Sequence, residues 1–446
     1  MTHRNEILLS EYGRASSEPA PVNRMMAAFA SDFRAGLDIN LGVGYVNERT
    51  IPAGEIQQAL GEVLRSPDKH PMPFNYGGPT GSENLIASIG RFLAENRIGG
   101  LTQAALSDLT IIIGSNGASS LLESLAYVLP RGIVVTSDPM YYIFTNFLER
   151  RGFELLTVPE DDQGIRTDLL AATLAGLGGR ADKISFFYVV TVNNPSCAIL
   201  SNGRRRELVE IARQLSRRCG RKIPVFFDRA YEELIHDPQV EKPRSSLLDD
   251  ADGLVYEVGT LSKVLAPGLR IGYMIGPDGP FLRAMVQRTS DDGFSAPVIT
   301  QEISSWLLDN RIARQLELVR AGYREKALAV GAWLREDLGD ELEGVSGGKA
   351  GFYFYLTFRT IETHEGSRFF RFLTRTTGDL AVDGPLGARK PRVIYIPGQY
   401  CAHPDGQLAQ RRMRQLRLSY GFEELAGIRN AIRLMRQAVD YARRAH

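Results

Sequence analysis

Apolar runs a few residues long alternate with amphipathic segments through the middle of the chain, and that alternation predicts most of its elements. Residues 109–113 read as a strand and 117–129 as a buried helix. Residues 132–136 read as a strand, 143–151 as a helix and 153–158 as a strand. Further strands are expected at 184–192, 224–227 and 254–258, with a helix over 204–219 between the first two. Strands alternating with helices imply parallel pairing through right-handed crossovers. Past about residue 300 the pattern changes. A long helical stretch covers 312–338, strand-like runs follow at 352–358 and 393–396, and Ile428, Ile432, Met435 and Val439 share one helical face. The glycine-containing stretches 176–179 and 339–348 read as loops, and no internal repeat interrupts the series. The expected fold is α/β, a large domain with a mostly parallel central sheet flanked by helices plus a smaller α+β domain made from both chain ends. The expected division is 1–70 for the N-terminal arm and part of the small domain, 71–310 for the large domain and 311–446 for the C-terminal small domain.

Composition narrows the class of function. The chain has 446 residues, about three times the usual domain size, and a formal net charge of +1. A near-neutral chain carries no global field to recruit nucleic acid or an anionic membrane, and the arginines at 411–417 read as a solvated face plus one functional arginine. Cys197, Cys219 and Cys401 lack metal-ligand spacing and cannot all pair, which favours a reducing compartment. Arg4, Asn5, Glu6 and Glu11 break up any apolar signal core, and no stretch approaches the ~18 apolar residues of a membrane span. A cytoplasmic location is expected, with no metal, no nucleic acid and no membrane as partner.

The chemistry gathers where strands end. Lys263 follows the strand-like run 254–258, between the hydroxyls of Thr260 and Ser262 and seven residues before Arg270. Its amine suits a Schiff base with an aldehyde, while Thr260, Ser262 and Arg270 suit a phosphate tethered to that aldehyde. Gly114 to Ser120 follows a strand and opens a helix, where the Gly117 and Ala118 amides can cradle an anion. Asp228 ends another apolar strand 35 residues before Lys263. Arg417 sits inside the alternating stretch Leu416-Arg417-Leu418, where a buried cation needs a partner such as a carboxylate. Singly, each feature admits a plainer reading: a surface lysine, a helix cap, a structural ion pair.

Together the motifs resemble the class I/II aminotransferases of pyridoxal phosphate (PLP) fold type I, over roughly residues 20–440 and in family order. Thr260-Leu261-Ser262-Lys263 through Arg270 resembles the cofactor-lysine signature, with Thr260 where Ser is usual. The resemblance implies a catalytic set of Lys263, Asp228 and Tyr141. Lys263 would bind the cofactor aldehyde, Asp228 would keep the pyridine nitrogen protonated, and Tyr141 would stack on the ring, or Tyr142 if the turn is offset. Asn194 and Tyr231 would hydrogen-bond the phenolic oxygen. Arg417 would grip the substrate α-carboxylate, with Asn194 beside it and the Gly44 backbone closing over the substrate. Tyr76 would reach across a homodimer to the neighbour's phosphate. Pro21 to Met25 slightly resembles a helix that carries a substrate-contacting arginine, here Arg24. Departures from the family pattern stand at Asn116 for Gly, at Gly117 and Ala118 for polar residues, and at Cys197 for Gly. The proline customary before Asn194 is absent. The implied activity is amino-group transfer between an amino acid and a 2-oxo acid. The alternatives are another PLP reaction (elimination, decarboxylation, or oxidation and hydroxylation) and, less favoured, a PLP-binding sensor, since roughly forty residues before Leu41 are too few for a winged-helix domain.

Overall fold

The computed structural model describes residues 7–385 and 387–444, so Arg4, Asn5 and Glu6 lie outside the described residues. Its centre is an eight-stranded sheet in the order Leu109–Ile113, Gly272–Pro277, Val255–Thr260, Val225–Asp228, Ile184–Val190, Ile133–Asp138, Glu154–Asp161, Gly164–Ile165. Pairing is parallel from Val255–Thr260 across to Glu154–Asp161 and antiparallel at both edges. The sheet is therefore mixed. Antiparallel Gly272–Pro277 slips between Leu109–Ile113 and Val255–Thr260, and nothing in the alternation announced it. All seven residues of Ile184–Val190 are buried, as expected of a central strand covered by helices on both faces. Helix Asn202–Cys219 begins at Ser201, whose hydroxyl accepts from the Arg204 amide at 3.3 Å.

A second, antiparallel sheet runs Leu342–Gly347, Tyr353–Phe358, Gln415–Ser419, Ile396–Pro397. Helix Leu425–Arg443 buries Ile428, Ile432, Met435 and Val439 and packs on helix Ile312–Leu338. Two expectations change. The stretch 339–348 is a short turn and an edge strand rather than a loop: Gly339–Glu341 is 3-10 helical and Leu342–Gly347 pairs with Tyr353–Phe358. An edge strand needs few apolar residues, so its pattern resembled a loop. The run 393–396 divides in two. Val393–Ile394 pairs with Ile39–Asn40 near the N-terminus, whereas Ile396–Pro397 joins the second sheet.

The carboxyl ends of the parallel strands all point one way, bringing Asp138, Val190, Asp228 and Thr260 to one edge of the sheet. There the helix Gly117–Val128 starts directly against Gly272. A Cβ on Gly272 would stand 2.0 Å from the Ala118 amide nitrogen, closer than any side chain tolerates. Gly272→Ala should therefore overpack this junction by about 1–3 kcal/mol or more. The expected reading is a lower melting temperature in a thermal scan; an unaltered one would mean that the helix start can retreat freely.

Candidate functional site

At this edge lies a cavity of about 320 Å³. Lys263 enters it from the turn after Val255–Thr260, its Nζ donating to the Gly44 carbonyl at 3.1 Å and standing 5.5 Å from the centre of the Tyr231 ring. Burial, then the positive Arg417 and Arg270, lower this amine from its ordinary value to about 8, with Asp228 opposing them. The lysine thus holds a substantial neutral, nucleophilic fraction near neutral pH.

Asp228 ends its strand wholly inside the protein. Tyr188 donates to its Oδ2 at 2.8 Å and the Ala230 amide to its Oδ1 at 3.0 Å. Burial raises its pKa while those two hydrogen bonds and, more weakly, Lys263 lower it. Among the described residues its hydrogen-bond partners are a hydroxyl and an amide, so the carboxylate is held at the cavity without a direct ion pair. Arg417 is the converse. Its guanidinium is 2% exposed, and its Nη1 and Nη2 donate to Asn194 Oδ1 at 2.8 Å and to the Gly42 carbonyl at 2.5 Å. It lies against the Tyr353 ring at 4.4 Å, while its Nε has no partner among the described residues. Burial disfavours its charge, but a guanidinium's ordinary pKa lies so far above neutrality that Arg417 stays protonated.

Arg270 forms the other wall. Its Nε donates to Asn116 Oδ1 at 2.8 Å and its Nη2 to the Asn116 carbonyl at 3.0 Å, placing a cation bonded to neutral oxygens beside the amides that begin helix Gly117–Val128. Thr260 Oγ1 lies 3.0 Å from Ser262 Oγ and donates to the Ile271 carbonyl at 2.9 Å, which fixes the lysine turn. Gly44, Ala118, Tyr141, Asn194, Tyr231, Ser262 and Lys263 all line the cavity, and Gly117 adjoins Arg270. Tyr141 and Tyr142 both line the cavity, and the Arg417 guanidinium lies 5.9 Å from the centre of the Tyr142 ring. The expectation for Tyr76 concerns a neighbouring chain's site, and Arg24 carries only a slight resemblance to a substrate-contacting residue. Tyr76 is 80% exposed, packed against Phe294, and Arg24 is an exposed helix residue 4.0 Å from Glu18. Sequence reasoning missed Tyr188 and Tyr353. The available signal was a phenol within a fully buried strand, Tyr188 in Ile184–Val190 and Tyr353, alongside Tyr355, in Tyr353–Phe358.

Pyridoxal phosphate fits this donor set. A carboxylate whose hydrogen-bond partners among the described residues are a hydroxyl and an amide suits a pyridinium, an amine of lowered pKa suits an aldehyde, and Arg270 with the Gly117 and Ala118 amides suits a phosphate. No group of three or more His, Cys, Asp or Glu able to hold a metal occurs among the described residues.

Comparison with known proteins agrees. The family described as aminotransferase class I and II matches residues 39–374. An uncharacterised HTH-type transcriptional regulator of Bacillus subtilis, YisV, is 24% identical over 98% of this chain and 80% of its own. Aromatic-amino-acid aminotransferase 1 of Thermococcus litoralis is 27% identical over 63% of this chain and 66% of its own. The fold is shared with Pyrococcus horikoshii kynurenine aminotransferase, solved in complex with PMP, at a TM-score of 0.80, 22% identity and 96% coverage of both chains.

If Lys263 is the capturing amine, the rate at which cofactor-free protein takes up PLP should rise with pH through about 8 and then level, because only the neutral amine attacks. Absorbance after rapid mixing measures this. Borohydride should then fix the label on the Lys263 peptide, and Lys263→Ala should take up none covalently. A rate independent of pH between about 7 and 9, or a label elsewhere, would remove Lys263 from this role.

Proposed function

The chain belongs to the class I and II aminotransferases, and from that membership we propose that it moves an amino group between an amino acid and a 2-oxo acid with PLP as cofactor. One observation carries the reading: Arg417 is a buried cation whose hydrogen-bond acceptors are neutral oxygens, within the same cavity as an activated lysine and a buried carboxylate. When bound, the cofactor supplies an electron sink for charge developed at the substrate α-carbon.

The chain's own residues do the rest. Arg417 and Asn194 hold the substrate α-carboxylate, and that grip orients the α-hydrogen toward Lys263. Lys263 Nζ would take the α-proton as a base and, as an acid, deliver it to the carbon that bore the cofactor aldehyde rather than back to the α-carbon. Asp228, kept in place by Tyr188 and the Ala230 amide, holds a proton on the ring nitrogen opposite it. Tyr141 covers one face of the ring and excludes water there, and Tyr231 and Asn194 donate to its phenolic oxygen. The Gly44 backbone closes over the bound amino acid, while Arg270, Thr260, Ser262 and the Gly117 and Ala118 amides hold the phosphate. The enzyme works in the cytoplasm as a homodimer, with no nucleic acid or membrane partner. No described helix is long and apolar enough to cross a membrane.

YisV is named as a transcriptional regulator, which sets a second reading beside the first: binding by the same cavity without turnover. A panel of amino acids separates the two. Loaded protein that converts to the pyridoxamine form and releases an oxo acid is a transaminase, whereas release of ammonia or carbon dioxide marks another PLP reaction, and binding without conversion marks a sensor.

Arg417→Leu should weaken amino-acid binding by about 1.5–3 kcal/mol, roughly ten- to a hundredfold, and leave covalent capture of PLP intact. Apparent affinity measured over several amino acids checks this, and equal values for both proteins would hand the carboxylate to another cation.

Exposed Tyr76, with Met72, Phe74 and Phe294 exposed around it, supports assembly in which Tyr76 completes the neighbouring site. Mixing Lys263→Ala and Tyr76→Ala chains tests it. If Tyr76 acts in trans, each hybrid holds one intact site and activity returns, although both parent homodimers are impaired. Verified hybrids that stay inactive would place Tyr76 in its own chain's site.

A further inference from the structure

Tyr353 meets every functional group on its side of the cavity, yet none of the roles above uses it. The residue begins strand Tyr353–Phe358 and is fully buried. Its hydroxyl lies 2.8 Å from the Tyr231 hydroxyl, and the Arg417 guanidinium lies 4.4 Å from the centre of its ring. The arm that covers the cavity also rests on it, since a Cβ on Gly44 would stand 2.7 Å from the Tyr353 oxygen. That glycine lets the Gly44 carbonyl reach Lys263.

Two phenols in contact share one hydrogen bond: one O–H donates, and the acceptor keeps its own O–H free for a third partner. A cation over a ring withdraws electron density from it and makes its O–H the stronger donor. Burial pushes both phenols up, so each keeps its proton and the pair is held by one neutral O–H donor to the other oxygen. Arg417 opposes the rise in both. Facing the pair are Lys263 from the turn after Val255–Thr260, Tyr141 and Tyr142 from the start of helix Tyr142–Arg150, Cys197 from the 193–197 turn and Arg417 from strand Gln415–Ser419. Among the described residues Tyr353 is the side chain hydrogen-bonded to the Tyr231 hydroxyl.

Resting on the aminotransferase reading, we propose that Tyr353 is a positioning residue. Its hydroxyl donates to Tyr231, which turns the Tyr231 O–H toward the phenolic oxygen of bound cofactor, and its ring seats Arg417 for the substrate carboxylate. One side chain thereby couples the tuning of the cofactor to the grip on the substrate.

The test uses the PLP-loaded enzyme and follows the pH-dependent absorbance of the bound cofactor. Losing an aligned donor disfavours the form with a negative phenolic oxygen, so Tyr353→Phe should raise the midpoint of that transition by roughly 0.5–1 pH unit. Propionate, a non-reacting carboxylate probe, should bind Tyr353→Phe as it binds the parent, because the ring under Arg417 remains; Tyr353→Leu should bind it more weakly. Tyr231→Phe should raise the midpoint by itself, and Tyr231→Phe/Tyr353→Phe should raise it no further, since Tyr353 acts through Tyr231. A Tyr353→Phe midpoint equal to the parent's, or shifts that add in the double variant, would overturn the inference alone. A parent protein with no such absorbance band would overturn the functional reading with it.

Discussion

Among the described residues Arg417 is buried without a counterion, and that constrains everything around it. Taking a guanidinium out of water costs several kcal/mol unless its donors are satisfied, and Arg417 is held by only two neutral oxygens and two aromatic faces. Those contacts come from distant parts of the chain: Gly42 from the arm, Asn194 from the turn after a central strand, Tyr353 from the second sheet and Tyr142 from a helix start. Their convergence defines the cavity. On the aminotransferase reading, a substrate carboxylate would meet a cation whose hydrogen-bond acceptors among the described residues are neutral oxygens.

The same charge governs Lys263. Arg417 and Arg270 help to lower the amine to about 8, and both are groups that would bind anions. When a phosphate and a carboxylate neutralise them, their pull on the lysine fades and its affinity for a proton rises. A poor base therefore suits capture of an aldehyde, and a better base becomes available once substrate is in place. Asp228 works against this by favouring the protonated amine, and the hydroxyl and amide bonded to it keep that carboxylate from turning toward Lys263.

Central strands and strand-end residues were legible in the sequence, because buried parallel strands leave apolar runs and their carboxyl ends fall where the runs stop. Leu109–Ile113 and Ile312–Leu338 begin and end where the pattern predicts. Lys263, Asp228 and Arg417 each break an apolar context with a charge, which is the signal that marked them. Antiparallel Gly272–Pro277 was not legible, since strand direction leaves no trace in the residues themselves. The edge strand Leu342–Gly347 was hidden by its half-exposed, glycine-bearing composition. Tyr188 and Tyr353 were invisible for another reason. A tyrosine in a buried strand looks like core until geometry shows which oxygen its hydroxyl meets.

The departures from the family's motifs are where the structure says most. Asn116 stands where glycine is usual, and its side-chain oxygen and carbonyl both accept from Arg270, so the substitution fixes the Arg270 guanidinium at the wall of the cavity. Gly117 and Ala118 lack polar side chains, yet an anion at a helix start is held by backbone amides, which every residue but proline supplies. Cys197, also in place of glycine, takes φ 52°, a left-handed conformation that costs a residue with a side chain about 1–2 kcal/mol. Its thiol occupies space that Gly351 leaves open, for a Cβ on Gly351 would come within 2.8 Å of the sulfur. Burial pushes that thiol up to about 12, which leaves it no useful thiolate fraction, so Cys197 packs the turn and takes no part in the chemistry. With Cys197 three residues beyond it, the Asn194 side chain reaches Arg417 at 2.8 Å.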